Sequence, residues 1–148
     1  MKVDDRGCEI VREEPEPEIK QEIPQEIEFV EPGPMDEIIL SAESSFDFNS
    51  AELKSEAFVL LDKLMSVMKK YPTSRWRIEG YTDNVGSEEG NLKISRQRAN
   101  AVAEYFISNG IPHGRFITEG KGSKEPIADN NTEAGRSKNR RVVITRLN

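Results

Sequence analysis

Asp83 and Arg98 are the two residues whose types and spacing could do chemistry. They sit on either side of a glycine-containing loop in "GYTDNVGSEEGNLKISRQRA", Gly80 to Ala99. Just before it, "RWRIEGYTD" alternates Trp76, Ile78 and Gly80 against Arg75, Arg77 and Glu79, the period-two signature of a strand with one buried face. Ser95 is a suitable N-cap for the helix that follows, which would place Arg98 at its third position. A carboxylate and a guanidinium would then lie where a strand's carboxyl end meets a helix's amino end, a place where α/β folds bind ligands. A zwitterion suits them: its carboxylate takes a forked pair of hydrogen bonds from Arg98 and meets free helix amides, while Asp83 holds its ammonium. An Asp83–Arg98 salt bridge that locks the loop fits the same spacing, and spacing alone does not separate the two.

Catalysis is poorly supplied. Nucleophilic chemistry needs a Ser, Cys or Thr beside a base, but His113 lies in "GIPHG", a turn with no neighbouring nucleophile, and reads as a surface residue. Glu88 and Glu89 are adjacent in the loop and read as solvated rather than as paired hydrolytic acids. The glycines of "GYTDNVG", "TEGKG" and "NNTEAGR" match neither phosphate-loop nor dinucleotide spacing and read as turns. One cysteine, Cys8, and one histidine exclude an internal disulfide, a cysteine metal site and a multi-histidine cluster. No enzyme, metal or cofactor is expected.

The elements that must position the charges read in order along the chain. "DEIILSAESSFDF" supplies a first strand around Ile38 to Leu40 and a turn near Glu43 to Asn49. Asn49 or Ser50 can cap a helix in which Phe58, Leu61, Leu64, Met65 and Met68 recur at three- and four-residue spacing up to Tyr71-Pro72. Ile94, Ala101, Val102, Tyr105 and Phe106 mark a second amphipathic helix closed by Asn109-Gly110, with Pro112 beyond. "RFITEGKG" reads as a third strand, residues 122–138 as a long polar loop, and "NRRVVITRLN" as a fourth strand. Adjacent Arg140 and Arg141 in that strand would face opposite sides of the sheet, so at most one lines a site with Arg98. The expected fold class is α/β, an α+β sandwich ordered β-α-β-α-β-β, with a mixed four-stranded sheet and both helices on one face.

Charge is divided unevenly. Residues 1–43 carry 14 acidic and 4 basic residues, against 13 and 17 in the remainder. "IVREEPEPEIKQEIPQEIEFVEPGP" mixes prolines and glutamates, a composition that favours extended chain over a packed core, so residues 1–35 read as a largely disordered acidic linker and 36–148 as the domain. The domain's basic residues are interleaved with acids, which argues against a nucleic-acid footprint. No run of ~18 apolar residues and no signal-peptide core occurs. Two expectations follow: a cytoplasmic protein, or a chain that begins downstream of its targeting sequence.

"IEGYTDNVGSEEGNLKISRQRANAVAEYFISNGI", "EGKGSKEPIADNNTEAGRSKNRRVVI" and "FDFNSAEL" together resemble the OmpA-like C-terminal domain, the peptidoglycan-binding module of Gram-negative outer-membrane proteins, Pal-type lipoproteins and MotB-type stator proteins. The resemblance runs from about Ile38 to the C-terminus, with Ile94 where the family usually has leucine. It implies a groove for the diaminopimelate of the cell-wall stem peptide, with the family's aspartate on Asp83 and its arginine on Arg98. Phe46 and Asp47 in the first loop, Thr82, Asn91, and Arg140 in the last strand are implied as lining. The implied function is non-covalent tethering of an outer-membrane protein to peptidoglycan in the periplasm, without membrane contact by this stretch of chain. Anchoring of a MotB-type flagellar stator and hydrolysis of cell-wall peptide are the alternatives. "VDDRGC" is similar to the closing segment of thrombospondin type 3 repeats. That similarity implies a chain cut from a longer protein, with Cys8 as one half of a disulfide.

Overall fold

The computed structural model describes residues 29–148. Most of the acidic, proline-rich stretch, together with Cys8 and "VDDRGC", lies outside the described residues. A compact unit spans Pro32–Asn148. Its elements are β1 (Glu37–Ser41), a short helix α1 (Ala42–Ser45), α2 (Ser55–Lys70), β2 (Trp76–Tyr81), α3 (Glu88–Ser108), a 3-10 turn (His113–Arg115), β3 (Phe116–Gly122), α4 (Glu133–Asn139) and β4 (Arg141–Arg146).

The strands form one sheet in the order β1-β4-β2-β3. β4 runs antiparallel to both β1 and β2, while β2 and β3 are parallel. A parallel pair needs a crossover, and α3 supplies it. Registry puts Ile78 beside Ile144, and Gly80 beside Val142 on one side and Gly120 on the other. Trp76, Ile78, Val142 and Ile144 are fully buried, as are Leu61, Leu64 and Met68 of α2 and Val102 and Phe106 of α3. The mixed sheet covered by helices is the fold class expected from the sequence.

The helices attach differently. α2 meets α3 through the stacked rings of Phe58 and Tyr105, 4.8 Å apart, and a 2.5 Å hydrogen bond from the Tyr105 hydroxyl to Asp62. Its C-terminal carbonyls are tied by Arg115, which donates to Met68 O and Tyr71 O at 2.8 Å. α3 lies against the sheet with Ser95, Ala99 and Ala103 inward, small residues at four-residue spacing that let the backbones approach. The expected stripe is therefore rotated: Ile94, Ala101 and Tyr105 are only half-buried. A Cβ added to Gly120 would sit 2.6 Å from Arg96 N, and one added to Gly80 would collide with the Ser95 carbonyl. Ser95 itself accepts a 3.0 Å hydrogen bond from Gly122 N.

Local expectations shift in four places. The turn after β1 contains α1, followed by a bridge between Phe46 and Leu53. α2 starts at Ser55 after Lys54 rather than at Asn49 or Ser50, because Ser50 is engaged in its own turn, accepting from Glu52 N at 2.8 Å. The polar stretch 122–138 contains α4, capped by the Thr132 hydroxyl, which accepts from Gly135 N at 3.0 Å. The face of β2 opposite the helices is not fully open either: Glu79 and Tyr81 are buried, with the Arg141 guanidinium 3.8 Å over the Tyr81 ring.

Gly80→Ala should destabilise the fold by about 2–3 kcal/mol, the usual cost of forcing extra atoms into a packed interior. Urea unfolding of the variant measures this, and an unchanged midpoint would show that α3 does not rest on the sheet as described.

Candidate functional site

A groove of about 700 Å³ opens where α1, the loop after β2, the middle of α3 and α4 converge. All seven residues singled out from the sequence line it: Phe46, Asp47, Thr82, Asp83, Asn91, Arg98 and Arg140. They arrive by different routes from those expected.

α3 starts eight residues earlier than an N-cap at Ser95 would have placed it, at Glu88 rather than Arg96. Ser87 is the N-cap, accepting from Gly90 N at 3.0 Å, and Glu88 and Glu89 form the acidic first turn. Carboxylates there complement the exposed amides and the helix dipole, which is why the chain turns helical at "SEEG". Ser95 is buried in mid-helix and donates to Leu92 O at 2.9 Å. Arg98 consequently projects from the middle of a 21-residue helix, and the free amides of the helix start are not beside it.

Asp83 and Arg98 do not pair with each other: among the described residues no ion pair joins them. Asp83 Oδ2 instead accepts from Arg140 Nη1 at 2.6 Å, and Oδ1 accepts from Val85 N at 3.0 Å. Arg98 is 8% exposed; its Nε donates to Ser50 O at 2.9 Å, its guanidinium lies 5.3 Å from the Phe46 ring centre, and among the described residues it has no carboxylate partner. Burial pulls its pKa below the ordinary guanidinium value; nearby Arg140 adds to that, and Asp83 opposes it. An unpaired buried cation is costly, and an anion would relieve it.

Arg140 is not in the last strand. It caps the C-terminus of α4, so its side chain turns toward the groove while Arg141, the first residue of β4, stacks on the opposite face. Besides Asp83, Arg140 Nη2 donates to Glu43 and Glu133, both at 2.7 Å. Burial disfavours its charge, but Glu133, Asp83 and Glu43 outweigh that and raise its pKa above the ordinary guanidinium value. Thr82 is buried and donates from Oγ1 to Asp83 O at 2.9 Å. Asn91 Nδ2 holds the loop by donating to Val85 O at 3.1 Å. Phe46 is buried beneath Arg98, whereas Asp47 is exposed at the rim.

Glu43, Glu133, Arg136 and Asn139 complete the site and were not foreseen. Arg136 pairs with Glu133 at 3.1 Å. Fully buried Asn139 accepts from Ile127 N and Ala128 N and donates to Ala128 O and Asn130 Oδ1, folding the loop back on α4. "NNTEAGR" carries the overlooked signal: a threonine cap followed at once by an acidic first turn.

The Arg140 cluster predicts a pH dependence. Hydrogen bonds from Ser137 and then Arg140 lower the pKa of Glu43, and one from Arg140 lowers that of Glu133. Groups with lowered folded-state pKa stabilise above the ordinary carboxylate range and lose that contribution as pH falls through the lowered values. Both are solvent-exposed, so screening keeps their share small. Arg140→Met should destabilise by about 1–3 kcal/mol near neutral pH, mainly by stranding Asp83. The small part of that gap contributed by Glu43 and Glu133 should be lost as the pH falls through their lowered values, as read by urea unfolding at several pH values. A gap with no pH-dependent part would mean that these two carboxylates do not act through charge. Asn139→Ala, which removes four hydrogen bonds from a buried site, should cost about 2–4 kcal/mol in the same measurement.

Comparison with known proteins agrees with the fold. The chain is 40% identical over 114 residues to outer membrane protein A of Bordetella avium, covering 76% of this chain and 59% of that protein. It is 42% identical over 100 residues to the peptidoglycan-binding protein ArfA of Mycobacterium tuberculosis, covering 68% of this chain and 31% of that protein. It therefore spans between about a third and three fifths of these relatives' lengths. Among solved structures, the peptidoglycan-associated lipoprotein from Burkholderia pseudomallei superposes with a TM-score of 0.65 at 28% identity, covering 70% of this chain and 87% of that one. The OmpA family itself matches residues 45–140, and the chain belongs to that family.

Proposed function

We propose that the groove binds peptidoglycan non-covalently through the diaminopimelate of its stem peptide and so anchors the protein to the cell wall in the periplasm. The observation that carries this reading is the buried Arg98, which lacks a carboxylate partner among the described residues and lines the same groove as Asp83. Arg98 takes the ligand carboxylate through the guanidinium nitrogens that its Ser50 bond leaves available. Asp83 keeps acceptor capacity beyond its bonds to Val85 and Arg140, because each carboxylate oxygen has two lone pairs. The ligand ammonium adds to Asp83 on the groove side without displacing Arg140. Helix amides take no part, since the start of α3 lies elsewhere.

The two charges are held apart by different neighbours, Asp83 by Arg140 and Arg98 by Ser50 and Phe46. A preset separation suits a ligand that brings both charges on one carbon. It also keeps Asp83 and Arg98 from collapsing onto each other when the groove is empty, which lowers the reorganisation that binding requires. The names of two similar proteins, the peptidoglycan-binding protein ArfA and the peptidoglycan-associated lipoprotein, support peptidoglycan as the partner class, and nothing in the groove resembles a nucleophile and base pair. No hydrolysis of muropeptides is expected from the purified chain.

Titration with diaminopimelate-containing muropeptides tests the reading. Asp83→Ala and Arg98→Ala should each weaken binding by roughly 30-fold or more, the equivalent of about 2 kcal/mol for one partner of a desolvated charge pair. Arg98→Lys should recover only part of the loss, because a point charge cannot reproduce the fork. Thermal unfolding in parallel separates binding from folding defects. Wild-type affinity in folded Asp83→Ala and Arg98→Ala would overturn the assignment.

A further inference from the structure

The turn Asp47–Ser50 forms part of one wall of the groove, and one of its residues holds a backbone shape that few side chains accept. Asn49 has a φ of 53°, in the left-handed region, and the turn is closed by Ser50 N, which donates to Asp47 O at 3.0 Å. A positive φ at the third position of a four-residue turn is the type II pattern, which favours glycine or asparagine. Nothing in the core asks for that shape, because Phe48 and Asn49 are both exposed. The base of the turn is nevertheless held firmly: Asp47 N donates to Glu52 O at 3.2 Å, Glu52 N donates to Ser50 Oγ at 2.8 Å, and Phe46 bridges to Leu53. What the turn presents inward is the Ser50 carbonyl, which accepts from Arg98 Nε at 2.9 Å. Backbone strain of this kind persists where the surroundings enforce it, and it gathers at ligand sites.

We propose that Asn49 is a positioning residue for the groove: its left-handed conformation aims the Ser50 carbonyl at Arg98 Nε, so that the guanidinium takes a ligand carboxylate end-on, through Nη1 and Nη2. This rests on the diaminopimelate reading above and adds the geometry of capture. A guanidinium can receive a carboxylate side-on, through Nε and one Nη, or end-on, through both Nη groups. The Ser50 carbonyl occupies Nε and leaves the second mode, and among the described residues neither Nη of Arg98 has a hydrogen-bond partner. The Phe46 ring, its centre 5.3 Å from the guanidinium carbon, supports one face of the group. With Nε held and one face supported, the plane of the fork is set before a ligand arrives, and less ordering remains for binding to supply. Asn49 acts through Ser50 and Arg98, and its contribution is backbone shape.

The test combines titration of the full chain with a diaminopimelate-containing muropeptide and NMR of the Arg98 Nε–H, assigned by its loss in Arg98→Lys. Glycine enters the left-handed region freely, so Asn49→Gly should bind within about twofold of wild type. Valine is excluded from that region by its branched side chain, so Asn49→Val should bind about tenfold more weakly. The Nε–H should exchange slowly with solvent in wild type and Asn49→Gly, and distinctly faster in Asn49→Val. In an Arg98→Lys background, which has no fork to orient, Asn49→Val should weaken binding little further. Asn49 is exposed, so both variants are compatible with folding, and unfolding midpoints verify it. A loss in Asn49→Gly as large as in Asn49→Val makes the asparagine side chain a ligand contact and overturns the positioning role. The role is overturned as well if Asn49→Val leaves either affinity or Nε–H exchange unchanged, or if its full effect persists beside Arg98→Lys. Each of those results leaves the diaminopimelate reading intact. If wild type binds no muropeptide, that reading fails and end-on capture with it.

Discussion

The close approach of α3 to the sheet is the constraint on which the groove depends. At Gly80 and Gly120, neighbours across β2 and β3, the α3 backbone around Ser95 and Arg96 occupies the space that side chains would fill. Ser95, Ala99 and Ala103 present a matching small-residue stripe, and the Ser95 hydroxyl accepts the Gly122 amide, leaving that buried donor satisfied. Interiors are packed as tightly as organic crystals, so this contact has little latitude. Arg98, one turn further along α3, is therefore set at a fixed height above the loop that carries Asp83.

A second layer of order comes from charge. Arg140 draws carboxylates from three elements, Glu43 of α1, Asp83 after β2 and Glu133 of α4, and so fastens the walls of the groove to one another. Arg98 sits outside that cluster and, among the described residues, has no carboxylate partner; it lies on a bed made by the Phe46 ring and the Ser50 carbonyl. Placing three arginines and four acids around one groove without mutual annihilation requires that each cation be given different partners. Arg136 takes Glu133 and the Asn130 carbonyl, Arg140 takes its three carboxylates, and Arg141 is sent to the far side of the sheet. What is left is a cation that needs an anion and an acid with spare acceptor capacity, both lining one groove on a scaffold that gives them separate partners. That asymmetry is the chemical content of the site.

Much of this was legible in residue order. Period-two alternation in "RWRIEGYTD" and the three- and four-residue spacing of Leu61, Leu64 and Met68 correspond to a strand and a core helix. Less legible were the places where a polar residue had two plausible jobs. Ser95 and Ser87 are both acceptable caps; burial against Gly122 claimed the first, and the acidic turn that follows claimed the second. Arg140 reads as a strand residue because it abuts "RVVITR", yet the helix in "TEAGRSKN" runs up to it and makes it a cap. Local propensity cannot rank such alternatives, because the deciding contacts come from residues distant in the chain.

The sequence by itself determined the strand and helix periods, the family to which the motifs belong, and seven of the residues that come together in the groove. Those follow from side-chain type and spacing, which are local properties. Only the tertiary structure decided which carboxylate meets which arginine. An Asp83–Arg98 bridge and a split arrangement fit the same spacing, and Arg140, 57 positions from Asp83, selects between them. The physical reason is that ion pairing depends on distance and burial in space, and separation along the chain constrains neither once the chain has crossed over.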